Sequence, residues 1–163
     1  MDALTRAYRG LARRIHPDRF IDSPHKSETA TRVSARLNQA YQVLRDPVRR
    51  ADSLLNLYGG PSAAELREVP GPLLAEVMEM REQIAEANSA GDSSRLQALR
   101  HAIAARRESA LAEIETLCGK LEDATEAARR DLRKLLNSMK YFDNLLNDLA
   151  EDPLPRATPA LAS

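Results

Sequence analysis

The sequence predicts an all-α protein in which a helical hairpin is followed by a C-terminal antiparallel three-helix bundle. Apolar residues recur at spacings of three and four along several long segments, which is the period of an amphipathic helix. Two clusters, Gly59-Gly60-Pro61 and Pro70-Gly71-Pro72, interrupt this pattern. Because neither cluster can continue a helix, we predict a linker at residues 59–71 and one helical unit on each side of it.

The first helix has an apolar face and a basic face. The apolar face has spacings of four, three and four and consists of Leu4, Tyr8, Leu11 and Ile15. The opposite face, which we call the arginine face, consists of Arg6, Arg9 and Arg13. Pro17 cannot continue the helical hydrogen bonds and disfavours helical backbone at His16, so the helix is predicted to end near Ile15. The tripeptide His16-Pro17-Asp18 should therefore lie on a stiff, exposed turn.

Three interpretations of this tripeptide are open at this point. It can be a proline-stopped helix followed by ordinary loop residues. It can contribute to a metal site made of His16, Asp18, Asp22 and His25, although this set mixes hard and soft ligands and has no cysteine nearby. It can also be a recognition motif displayed between two amphipathic helices.

Two further helices complete the N-terminal unit. A helix from about Glu28 to Arg45 is predicted to pair with the first as an antiparallel hairpin, through an apolar face made of Val33, Leu37, Ala40, Tyr41 and Leu44. Asp46 is then expected to cap a short helix that begins at Pro47 and ends before Gly59.

Three helices with short connections are predicted from residue 72 onward and should form the bundle. The first runs from Pro72 to about Asn88, and the second begins after a cap at Asp92 and ends near Cys118. The spacing of Asp123 and Glu126 predicts a capping box for the third, which runs to about Leu149. Residues 152–163 are rich in Pro and Ala and are predicted to be disordered.

Composition restricts the kind of protein. With 163 residues, 43% apolar and 29% charged, the chain is long enough for one ordinary domain or two small ones. No run approaches the roughly 18 apolar residues that span a bilayer. A single cysteine, Cys118, excludes an internal disulfide framework, and its expected role is apolar packing.

Charge differs between the two halves of the chain. Residues 1–58 hold 11 Lys and Arg against 6 Asp and Glu, whereas residues 59–163 hold 13 against 18. A basic half can indicate nucleic acid, but here it lacks interleaved aromatic residues. An acidic protein surface is the better candidate partner.

Together, the basic helix, the tripeptide and the second amphipathic helix resemble a J domain. The segment from Leu37 to Pro47, LNQAYQVLRDP, followed by Arg50-Ala51-Asp52 and Leu54-Leu55, is similar to the end of the J domain in HscB-type co-chaperones of iron–sulfur cluster assembly. The similarity continues through residues 73–84 and near Leu145. It therefore covers nearly the whole chain up to about Asp152.

The resemblance implies a J-like domain at residues 1–58 and a client-binding bundle at residues 72–151. J domains of this family usually begin with one more helix, so the J-like domain is expected to be incomplete at its N-terminus. The resemblance also implies that the chaperone-binding residues are His16, Pro17, Asp18, Arg6, Arg9, Arg13 and Arg14.

A second surface is suggested by residues that lie off the buried stripe of the first bundle helix. That stripe is Leu73, Val77, Met80 and Ile84. Scattered surface apolar residues are common and require no function. The resemblance nevertheless implies a face that binds the cluster scaffold, made of Leu74, Met78, Glu79, Glu82, Glu86 and Tyr141. Ala75 is smaller than the usual family residue, which could weaken this contact.

We therefore predict a co-chaperone and not an enzyme, because the sequence has no Gly-rich phosphate loop and no paired nucleophile and base. The implied partners are a DnaK-type (HscA-like) chaperone and an iron–sulfur scaffold protein (IscU-like), with no cofactor, metal, nucleic acid or membrane. The expected location is the bacterial cytoplasm, with the mitochondrial matrix as the alternative. Two rival functions are a J protein with a different client and a purely structural helical protein.

Overall fold

The computed structural model describes residues 3–150, which form six α-helices and contain no β-strand. The helices are α1 (Ala3–Arg14), α2 (Pro24–Arg45), α3 (Pro47–Leu57), α4 (Leu73–Ala90), α5 (Ser93–Cys118) and α6 (Glu126–Asp148). Short 3₁₀ helices occupy Pro17–Phe20 and Leu121–Asp123. The tail predicted to be disordered, residues 152–163, lies outside the described residues. Within residues 3–150, no helix combines the length and apolar character that crossing a bilayer requires.

The chain divides into two compact units, Met1–Ser53 and Leu54–Ser163. The division falls within α3, before the segment 59–71 that the sequence predicts as a linker. An all-α fold with an N-terminal hairpin and a three-helix bundle is confirmed.

Aromatic and polar side chains hold α1 against α2. The rings of Tyr8 and Tyr41 stack with their centroids 4.1 Å apart and their planes 14° from parallel. The Tyr8 hydroxyl donates to Asn38 Oδ1 at 2.9 Å, and the Ser34 hydroxyl donates to the Ile15 carbonyl at 3.2 Å. These contacts fix the pairing of the two helices along their length.

The hairpin covers only a narrow strip of each helix. Within residues 3–14 no side chain is buried, and within residues 24–45 only Ala30 is buried. The predicted apolar face of the second helix is wrong at three positions, because Val33, Ala40 and Leu44 are exposed. The reason is geometric, since α2 packs against α1 and the short 3₁₀ helix Pro17–Phe20, and these contacts cover a strip narrower than its apolar face.

Local chemistry sets most helix ends. Asp46 caps α3 as predicted, with Oδ1 accepting from the backbone N–H groups of Val48 at 2.9 Å and Arg49 at 3.0 Å. Helix α2 begins at Pro24, earlier than the predicted Glu28, because Ser23 and Pro24 already supply a helix start. Gly59 has φ +72°, a left-handed conformation that suits glycine, just beyond the end of α3.

The bundle has a continuous core of aliphatic and aromatic side chains. Its fully buried residues include Ile103, Ile114, Leu132, Met139, Phe142 and Leu145. Asp92 caps α5 as predicted, accepting from the Arg95 N–H at 2.9 Å. The predicted capping box at Asp123 is wrong, because Asp123 belongs to a 3₁₀ helix and Thr125 caps α6 by accepting from the Ala128 N–H at 3.2 Å.

The segment 59–71 is fastened to α6. Arg133, which is buried, donates through Nε to the Pro61 carbonyl at 2.9 Å. Asn137 Nδ2 donates to the carbonyls of Leu66 and Glu68, both at 2.8 Å. Leu66 is itself buried. The segment therefore packs as part of the bundle unit.

A small turn stabilises the same segment. The Ser62 N–H and hydroxyl donate to Glu65 Oε2 at 2.8 and 2.7 Å, and the Glu65 N–H donates back to the Ser62 hydroxyl at 3.3 Å. These hydrogen bonds hold the pKa of the Glu65 carboxyl below its usual value. The bond from the Ser62 backbone N–H has the larger effect, and the bond from the Ser62 hydroxyl has the smaller one.

Candidate partner-binding surfaces

The tripeptide His16-Pro17-Asp18 forms the start of the 3₁₀ helix that follows α1. His16 has extended backbone (φ −60°, ψ 130°), and its Nδ1 accepts a hydrogen bond from the Asp18 N–H at 3.3 Å. The side chains of His16 and Asp18 are 59% and 78% exposed. Pro17 fixes its own φ and restricts His16, so the turn is stiff although it is exposed.

This geometry leaves one donor and one acceptor exposed. When Nδ1 accepts from the backbone, the proton of a neutral imidazole resides on Nε2, which can donate outward. The Asp18 carboxylate is an acceptor, with Oδ2 lying 3.4 Å from His16 Nδ1. The turn therefore displays both groups side by side on an exposed surface.

The arginine face reaches the same end of α1. Arg6, Arg9 and Arg13 are all exposed, and so is the neighbouring Arg14. Arg13 and Arg14 lie in the last turn, where the helix dipole favours positive charge. Because α1 ends at Arg14, this positive charge lies close to the tripeptide along the chain.

The metal interpretation gains no support from the geometry. Among residues 3–150, no three His, Cys, Asp or Glu side chains are grouped so that they could hold a metal ion. His16 instead uses Nδ1 within its own turn.

A second candidate surface lies on α4 of the bundle. Of the predicted buried stripe, Leu73, Val77 and Ile84 are buried and Met80 is half-buried. Leu74 is 49% exposed and Met78 is 66% exposed. The helical period therefore separates the core stripe from this apolar pair correctly. Leu74 and Met78 are one turn apart and form a continuous exposed patch.

An ion pair shows which part of α6 adjoins that patch. The three bundle helices contact one another, and α4 and α6 run parallel because α5 runs antiparallel to both. Arg81 Nε on α4 lies 3.7 Å from Asp148 Oδ2 on α6. Leu74 precedes Arg81 by seven positions, and Tyr141 precedes Asp148 by seven positions. Seven residues make two helical turns, after which a side chain points within about 20° of its starting direction. This register brings Leu74 level with Tyr141.

Tyr141 differs from its predicted environment. The helical wheel places it opposite Leu132 and predicts that it is exposed, but the side chain is half-buried. Helix α4 packs against α6, and the Arg81–Asp148 contact two turns further along places Tyr141 on the side of α6 that faces α4.

The acidic residues of this surface differ in their engagement. Glu82 is exposed, Glu79 Oε1 accepts from Gln83 Nε2 at 3.2 Å, and Glu86 Oε2 lies 2.9 Å from Arg95 Nη2. Exposed ion pairs contribute little free energy, so Glu86 can exchange Arg95 for a partner group at small cost.

Two exposed apolar side chains near the tripeptide were missed by sequence reasoning. Ile21, at the end of the 3₁₀ helix, is 74% exposed, and Val33 on α2 is 43% exposed. Helical periodicity assigned Val33 to a buried face. Ile21 lies in a polar loop where no periodic pattern applies.

Comparison with known proteins gives consistent results for both units. Residues 1–52 match the DnaJ domain family, and residues 70–150 match the family described as the HSCB C-terminal oligomerisation domain. A co-chaperone protein HscB homolog of Ralstonia nicotianae is 37% identical over 155 residues, covering 91% of this chain and 83% of the relative. A co-chaperone protein HscB homolog of Burkholderia thailandensis is 37% identical over 131 residues, covering 78% of this chain and 75% of the relative.

A solved structure shares this fold. The chaperone HscB from Vibrio cholerae superposes with a TM-score of 0.73 at 30% sequence identity, covering 90% of this chain and 84% of the other. The similarity therefore extends across both compact units.

Proposed function

Since this chain belongs to the HscB family of J-domain co-chaperones, we propose that it binds an iron–sulfur scaffold protein, delivers it to a DnaK-type chaperone and stimulates that chaperone's ATPase. The observation that carries this proposal is the exposed His16-Pro17-Asp18 turn at the end of an arginine-rich helix. The three residues would contact the chaperone directly.

The arginine face would supply attraction toward an acidic surface of the chaperone. Exposed charges of one sign raise the rate of encounter and fix orientation more than they add final affinity. Arg6, Arg9, Arg13 and Arg14 would therefore bring the turn into position. Once it is docked, Asp18 would accept a hydrogen bond from a basic group on the chaperone, and His16 Nε2 would donate one.

The bundle would hold the client. Leu74 and Tyr141 at one level of the bundle, with Met78 one turn further along α4, would supply apolar area. Glu79, Glu82 and Glu86 would supply negative charge beside it. Interfaces commonly combine a central apolar anchor with a polar rim. A scaffold protein with an apolar patch surrounded by basic residues fits this surface.

The chain would act by joining two proteins and not by catalysis of its own. One unit carries the chaperone-facing turn, and the other carries the client-facing patch. A covalent connection between two binding modules raises the local concentration of the second partner. The matched relatives are bacterial, which supports the predicted bacterial cytoplasm as the compartment.

A single set of assays tests the proposal. The ATPase rate of a DnaK-type chaperone is measured alone, with the chain, and with the chain plus the scaffold. We expect stimulation by the chain and further stimulation with the scaffold. A chain that leaves the rate unchanged would favour a purely structural helical protein, and stimulation without scaffold binding in a pull-down would indicate a J protein with another client.

A further inference from the structure

An apolar cleft opens in the N-terminal unit beside the tripeptide. It has a volume of about 390 Å³, and Ile15, Phe20, Ala30 and Val33 contribute apolar side chains to its lining. Lys26 also lines the cleft. The contacts proposed above for the chaperone do not use this cleft.

The cleft is continuous with the tripeptide along the chain. Ile15 immediately precedes His16, and Phe20 follows Asp18 by two residues in the same 3₁₀ helix. Residues that line the cleft therefore lie on both sides of the tripeptide in the chain. A partner that docks on His16 and Asp18 comes close to the cleft.

Two apolar side chains remain exposed at this place. Val33, which lines the cleft, is 43% exposed, and Ile21, which follows Phe20, is 74% exposed. Covering exposed apolar area of this kind is favourable for association. The pair is thus available for contact with another protein.

Basic residues adjoin the cleft. A second hollow of about 480 Å³ shares Thr29 and Val33 with the cleft and is also lined by Arg32 and Arg36. Glu28 is the one carboxylate in residues 24–36, and it lies about 140° around α2 from Val33. The surroundings of the apolar opening on this part of α2 are therefore positively charged.

We propose that this cleft holds an aliphatic side chain from an acidic segment of the DnaK-type chaperone, with carboxylates of that segment on Lys26, Arg32 and Arg36. The inference rests on the proposed function, because it assigns a further contact to the same partner. The contact in the cleft raises the affinity for the chaperone, whereas the His16-Pro17-Asp18 turn stimulates ATP hydrolysis.

The basic residues around the cleft and its location beside the tripeptide favour the chaperone as the protein that fills it. In a symmetric contact, a second copy of the chain would bring the same basic surface against Lys26, Arg32 and Arg36, which disfavours face-to-face self-association here. The client surface proposed above lies on α4 and α6 of the other unit. The chaperone is the partner that contacts the residues on either side of the cleft.

The test compares Val33→Gln with Leu44→Gln. Both residues lie on α2 and have matched exposure, 43% and 45%, but only Val33 lines the cleft. Chaperone ATPase is titrated with each variant to give a maximal rate and a half-saturating concentration. Val33→Gln is expected to raise the half-saturating concentration about tenfold with an unchanged maximal rate, because an apolar anchor is lost. Leu44→Gln should stay within about twofold of wild type.

Two further variants test the shape of the side chain at position 33 and the charge around the cleft. Val33→Thr keeps the shape of the side chain and should give a smaller rise, so it replaces Val33→Gln if circular dichroism shows lost helix. Lys26, Arg32 and Arg36 changed together to Ser should weaken binding most at low salt. Equal behaviour of the Val33 and Leu44 variants, or weakened scaffold binding by Val33→Gln, overturns the inference. Absence of stimulation by the wild-type chain refutes the proposed function instead.

Discussion

Removing the exposed apolar pair on α4 should weaken binding of the scaffold by more than tenfold. The change is Leu74→Ala with Met78→Ala, which truncates two side chains that are 49% and 66% exposed. Full burial of such a side chain is worth about 1.5 to 3 kcal/mol, so completing the burial of both would contribute about 1.7 to 3.5 kcal/mol. A tenfold change in affinity requires only about 1.4 kcal/mol.

The double variant is preferable to one that includes Tyr141. Because Tyr141 is half-buried, its truncation would also disturb the packing of α6 within the bundle. Leu74 and Met78 project away from the buried stripe, so their loss should leave the free energy of unfolding nearly unchanged.

Titration calorimetry against the iron–sulfur scaffold measures the effect. Leu57→Ala is the matched control, since Leu57 is 77% exposed in the same unit but lies on α3. The control should bind as wild type, and the double variant should still stimulate the chaperone in the absence of scaffold. Wild-type affinity in the double variant, or an equal loss in the control, would refute the assignment of the client to this face.

Three further results are expected. Changing the three residues of the arginine face to Ala should flatten the salt dependence of chaperone binding, measured between low and physiological salt; an unchanged slope would place the attractive charge elsewhere. Amide hydrogen exchange should be faster in α1 and α2 than in α5 and α6, because within residues 3–14 and 24–45 only Ala30 is buried, and equal protection would contradict this. Thr125→Ala should lower the free energy of unfolding, measured by urea denaturation, by about 1 kcal/mol, and Asp123→Ala should lower it by less. A larger loss for Asp123→Ala than for Thr125→Ala would support the predicted capping box instead.

Helix ends were predictable where short-range chemistry determines them. Pro17 ends α1 by its covalent ring, and the side chain of Asp92 reaches a backbone N–H three residues later. The start of α6 was missed because the intervening 3₁₀ helix moves the cap from Asp123 to Thr125. The exposure of Leu74 and Met78 was also predictable, since Leu73, Val77 and Ile84 define the core side of α4.

Other features depend on contacts between distant residues. Arg133 is buried because its guanidinium reaches the Pro61 carbonyl, 72 positions away, and the sequence gives no sign of this pairing. Val33 has the spacing of a core residue, yet it is 43% exposed. Helical periodicity identifies an apolar face but does not say whether another element packs on it.

The substitution His16→Gln removes the imidazole on which stimulation of the chaperone is proposed to depend. His16 is 59% exposed and its Nδ1 accepts a hydrogen bond within its own turn, so the variant should keep its helix content by circular dichroism. Glutamine cannot reproduce the rigid imidazole that accepts from Asp18 and donates outward. The steady-state ATPase rate of a DnaK-type chaperone is measured at saturating concentrations of wild type and variant. We expect stimulation to be lost, whereas wild-type stimulation by a folded His16→Gln variant would contradict a role of the tripeptide in activating the chaperone.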